Sequence, residues 1–133
     1  MFTPVSTRAA SAYQRVGVET SITGADPHQL VVLLFNGLLD SLSKVAGAMV
    51  RGDIQEKSQQ VNRSIQILED GLRAALNLEA GGELARNLDA LYRCSVIELT
   101  KANFQNSPEA VQSVIELIRP VAEAWKAIRP QTR

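Results

Sequence analysis

The stretch DPHQLVVLLFNGLLDSLSKVAGAMV, Asp26 to Val50, limits the possible folds more than any other part of the chain. It opens with helix-start chemistry: Asp26 as the cap, Pro27 in the first turn and Gln29 completing a capping box. At 3.6 residues per turn, Leu30, Leu34, Leu38, Val45 and Met49 fall in one apolar stripe. Val32, Phe35, Leu39, Leu42 and Ala46 fall in a second stripe beside it. A helix with two apolar stripes needs two things to pack against. The rest of the chain can supply one, and a partner the other.

The following segments repeat the helical pattern. Gly52 offers a left-handed stop, and Asp53 with Glu56 three residues on restarts the chain, which predicts a tight helical hairpin. From Ile54 to Ala80 the positions Ile54, Val61, Ile65, Leu68, Leu72, Ala75 and Leu76 make one core-facing stripe, with the Glu69–Arg73 pair on the wet side. Gly81 and Gly82 break the pattern, and Glu83 begins a third run through Leu84, Leu88, Leu91, Tyr92, Ser95, Leu99 and Ala102. Asn106 ends it. Ser107 and Pro108 open a fourth run, whose apolar face is Val111, Val114, Ile115, Ile118, Val121, Ala122, Trp125 and Ile128. Pro120 predicts a kink over Glu116 to Arg119, and Pro130 a stop.

Four amphipathic helices joined by short connections predict an all-α fold, an antiparallel up-and-down four-helix bundle over residues 26–130. About three quarters of the chain would be helical, against the usual third. Residues 1–25 carry too little apolar surface to order themselves, so they read as a flexible amino-terminal segment, with a short helix around Ala9 to Arg15 lying on the bundle.

Charge and length then remove whole classes of function. At 133 residues the chain is one domain's worth, large enough to bury a core without metals or disulfides. Fourteen basic and fourteen acidic side chains, interspersed, give zero net charge, which argues against a nucleic-acid partner. Polar residues interrupt each apolar block, so no membrane insertion is expected, and Met1 to Gln14 lacks a secretory core. Together these predict a cytoplasmic protein.

Catalytic chemistry is equally hard to find. A di-iron bundle needs Glu-x-x-His on two helices, and the sole histidine, His28, follows Ala25 by three. His28 reads as a solvated first-turn residue, and Cys94, with no positioned base, as packing filler. No phosphate loop is present; Gly81-Gly82 is a helix stop. The chain is expected to be no enzyme and to need no cofactor and no metal. Gly37 is the oddity left over, because glycine within a helix costs about 1 kcal/mol against alanine. Its presence implies a close neighbour, internal or from a partner. Tyr92 and Trp125 read first as core and second as partner contacts.

Ala12-Tyr13, LVVLLFNGLLDSL (Leu30 to Leu42), GDIQEK (Gly52 to Lys57), GGELARNLDALY (Gly81 to Tyr92), LTKAN (Leu99 to Asn103) and Ala124-Trp125 resemble the FliS family of flagellar export chaperones. The likeness runs in order from about Ala12 to Ile128, with GGE-x-A-x-NL-x-x-LY its most specific part; Asn36 stands where the family usually has aspartate. The resemblance implies a cytoplasmic helical chaperone that binds the disordered carboxy-terminal segment of flagellin, prevents its polymerisation and brings it to the flagellar type III export gate. It also implies a mobile amino-terminal segment able to cover the client groove, with Tyr13 matching that segment's tyrosine. The expected flagellin-contacting residues are Tyr13, Val32, Phe35, Leu39, Leu42, Tyr92 and Trp125. The competing expectation is a non-catalytic bundle or adaptor whose surplus stripe closes a homodimer.

Overall fold

The computed structural model describes residues 9–12, 14 and 26–128. Among them every regular element is helical and no strand occurs. Residues 9–12 and 14 are helical, in the region where a short helix is expected. The long elements are α1 (Pro27–Arg51), α2 (Ile54–Gln66) running straight into a π-helical segment (Ile67–Arg73), α3 (Leu78–Gln105) and α4 (Pro108–Ala127).

Side-chain caps fix where these helices begin. Asp26 accepts the Gln29 N–H at 2.8 Å, Asp53 that of Glu56 at 3.0 Å and Ser107 that of Ala110 at 3.1 Å. Each satisfies a first-turn donor that has no partner within its helix. Gly52 ends α1 at φ 73°, a conformation glycine adopts without penalty. Asn106 makes the same turn after α3 at φ 52°.

Two expectations are corrected, the end of the second helix and the burial of four residues. The second helix stops at Arg73 and not near Ala80, because Asn77 caps a new start by accepting the Ala80 N–H at 3.0 Å. Gly82 (φ 58°, ψ −137°) then interrupts α3 with non-helical backbone, at the glycine pair where a break is expected. α4 continues through Pro120 to Ala127. Ile54, Leu84 and Ile128, expected on apolar faces, are exposed, as is Cys94. The first three lie in the opening turn of α2, just past the Gly82 break and at the end of α4, where a helix has few neighbours.

α1 is the helix the others share. It packs on α2, on the π-helical segment and on α4, while α3 packs on the π-helical segment and α4. Leu34, Leu38, Leu42, Val45 and Phe35 of α1 are fully buried against residues such as Leu68, Leu99, Val111 and Ile118. Each such side chain is worth about 1.5–3 kcal/mol relative to exposure. α1 is also long and apolar enough to cross a membrane, contrary to expectation; its Leu30, Leu34, Phe35, Leu38, Leu42, Val45 and Met49 lie in the core.

The π-helical segment alters the expected stripe. Its i→i+5 bonding widens the turn, and Ile67, Leu68, Gly71 and Leu72 are all buried. Between α1 and α2 the core includes a short polar chain. Ser64 Oγ donates to Ser41 Oγ at 3.0 Å, and Ser41 Oγ in turn reaches Gln60, with the backbone oxygen at 3.0 Å and the side-chain oxygen at 2.9 Å.

Candidate functional site

Where the first turn of α1 meets the last turns of α4, the core is incompletely filled. A cavity of about 250 Å³ lies there, walled by Pro27, His28 and Val31 of α1, Leu72, Ala75 and Leu76 around the end of the π-helical segment, Leu88 and Tyr92 of α3, and Trp125 of α4. Ala9, from the amino-terminal helical residues, forms part of the wall and is completely buried, as is Ala12. An alanine contributes one methyl group, so this contact closes part of the opening without filling the space behind it.

Three interactions hold the α1–α4 side of the wall. His28 Nε2 donates to the Trp125 carbonyl at 2.7 Å, and Trp125 Nε1 donates to the His28 carbonyl at 3.4 Å. The two rings stack with centroids 5.6 Å apart and planes 15° from parallel. His28 is therefore not the solvated residue expected from its place in a first helical turn; its partner lies 97 positions along the chain. Tyr92 forms the floor, its ring centroid 6.3 Å from that of Phe35. Burial pushes the Tyr92 phenol well above its ordinary range, so it remains neutral at any physiological pH.

A charged cluster flanks the cavity on the α2–α3 side. Arg73 donates from Nε to Asp89 at 2.7 Å and from Nη1 to Glu69 at 2.6 Å, and Arg93 Nε donates to Asp89 at 3.0 Å. Hydrogen bonding to Arg73 is the largest influence on Asp89 and holds its carboxyl below the usual range. The cluster ties the π-helical segment to α3. Among the described residues no three His, Cys, Asp or Glu side chains are grouped so as to hold a metal ion.

The seven nominated residues do not form one surface. Tyr92 and Trp125 share the cavity. Val32 and Leu39 are half-buried on α1. Phe35 and Leu42 belong to the sealed core, with 1% and 0% of their surface exposed. The reason is angular: they lie close enough to the Leu34/Leu38/Val45 stripe for both stripes to share one broad buried face. In this state neither can touch a partner. Tyr13 lies outside the described residues. Sequence reasoning passed over His28, Val31 and Leu76 as wall residues; the His28–Trp125 pairing leaves no local signal.

A family model described as "Flagellar protein FliS" matches residues 9–132. The chain belongs to the FliS family. Proteins it is similar to include the flagellar secretion chaperone FliS of Salmonella typhimurium, 38% identical over 120 residues, covering 90% of this chain and 89% of that protein. Escherichia coli FliS is 39% identical over 119 residues, 90% of this chain and 88% of that one. The flagellar secretion chaperone FliSB of Pseudomonas aeruginosa is 40% identical over 121 residues, 91% and 95% respectively. FliS is a family of secretion chaperones, not of enzymes.

Proposed function

We propose that this chain is a cytoplasmic chaperone of flagellar type III secretion that binds the disordered carboxy-terminal segment of flagellin, keeps it from polymerising and carries it to the export gate. The observation that carries this reading is the apolar cavity between α1, α3 and α4, partly closed by the chain's own Ala9. Residues 26–130 act as an antiparallel bundle that presents the cavity, and residues 1–25 as a cover that yields to the client. Tyr13 belongs to that cover.

The client contacts Trp125 and Tyr92 in the cavity and extends along α1 over Val32 and Leu39. Phe35 and Leu42 support this surface from behind. Ordering a disordered segment costs about 2–5 kcal/mol, which a long apolar contact can offset at about 25 cal/mol per Å² of buried surface. Covering the client's apolar face removes the surface through which it would join other copies.

Trp125 is the only tryptophan, so its fluorescence reports on the cavity. Titration with a flagellin carboxy-terminal peptide should shift its emission in a saturable way. A flat titration would refute the reading. The competing homodimer would bury exposed apolar side chains such as Phe104, which is 91% exposed. It predicts light scattering that rises with protein concentration and does not respond to peptide.

A further inference from the structure

We propose that His28 is a positioning residue for client recognition: by fixing Trp125 and committing its polar groups it makes the cavity favour an apolar anchor side chain of the client. This rests on the cavity being the client site. Trp125 sits in the last turn of α4, where carbonyls lack helical partners. Its carbonyl accepts the Ile128 N–H at 3.2 Å and the His28 Nε2–H at 2.7 Å, which occupies both lone pairs. The indole N–H is committed to the His28 carbonyl, and the imidazole face lies against the indole.

Two consequences follow. First, the largest side chain of the wall is held before any client arrives, so binding need not order it. Second, the Trp125 carbonyl and the indole N–H are used up within the bracket. Of the remaining walls, Val31, Leu72, Ala75, Leu76 and Leu88 are hydrocarbon, and Tyr92 adds one phenol hydroxyl. An anchor such as leucine, isoleucine, methionine or phenylalanine strands neither the Trp125 carbonyl nor its indole N–H. An isosteric amide would find no partner at the Trp125 carbonyl or indole N–H and should bind tenfold or more weakly, on the order expected for an unsatisfied buried group.

The test is calorimetric titration of the full chain, wild type and His28 variants, with the flagellin carboxy-terminal peptide and a set in which each leucine is singly replaced by asparagine. Wild type should show at least one position with a penalty of tenfold or more. His28→Ala frees a lone pair on the Trp125 carbonyl and releases the indole. It should weaken the parent peptide roughly two- to tenfold, shrink the asparagine penalty at that position to a few-fold and red-shift Trp125 emission in the free protein. His28→Gln, whose terminal amide can donate to the same carbonyl, should restore most of the penalty, and it carries the test if His28→Ala does not fold.

An unchanged asparagine penalty in His28→Ala overturns the inference, whether or not affinity for all peptides falls evenly, since an even loss marks a merely structural role. Failure of the wild type to bind any peptide removes the client reading itself, and this inference with it.

Discussion

Filling the cavity from within should strengthen the fold and weaken the client's hold together. Ala75 lines the space and is 9% exposed; Ala75→Leu adds three carbons pointed at roughly 250 Å³ of unfilled volume. At about 0.8 kcal/mol per buried methylene the transfer gain is about 2.4 kcal/mol, and fixing the leucine side chain returns about 0.5–1 kcal/mol of it. A net gain of about 1–2 kcal/mol should raise the urea midpoint by roughly 0.5–1 M for a slope of about 2 kcal/mol per M. Peptide affinity, read by Trp125 fluorescence, should fall at least tenfold because the client's anchor meets an occupied site. A loss of stability would mean that the cavity walls cannot accept the added carbons. A gain in stability with unchanged affinity would mean that the client docks elsewhere.

Other substitutions separate support from contact. Phe35→Ala should cost about 3–5 kcal/mol, a large share of a small domain's stability, whereas Leu39→Ala at its half-buried site should cost about 1 kcal/mol yet weaken peptide binding more per unit of stability lost; urea melts beside titrations check this order. Asp89 has a depressed folded-state pKa because of Arg73 and then Arg93. Its contribution is therefore present above the unfolded value of about 3.9 and lost as pH falls through the lower folded value. Asp89→Asn should cost up to about 1 kcal/mol at pH 7, and the difference from wild type should close in acid, as pH-dependent melts would show. Gly82→Ala forces a side chain onto φ 58°, ψ −137° and should cost about 1–3 kcal/mol in denaturant unfolding.

Helix starts were readable because capping is local: Asp26, Asp53 and Ser107 each act on a donor three residues away. The central place of α1 was readable from its surplus of apolar residues. The division of that surplus into an inner and an outer stripe was not, because a buried arc wide enough to meet α2, the π-helical segment and α4 takes in Phe35 and Leu42 as well. The end of α2 escaped notice because a 3.6-residue period assumes uniform bonding, and the π-helical segment departs from it between Ile67 and Arg73. Asn77 was hidden within an apolar run that continued past it. For the site, Tyr92 and Trp125 were found by residue type, but the bracket that aims Trp125 depends on a neighbour 97 positions away, which no periodicity reveals.

The Ser64–Ser41–Gln60 chain has a mechanical implication. If α2 slid along α1 by one turn, about 5.4 Å, two hydroxyls would be left in hydrocarbon without partners, at about 1–3 kcal/mol apiece. The first hairpin should thus move as one stiff lever, leaving any breathing to the Gly82 bend.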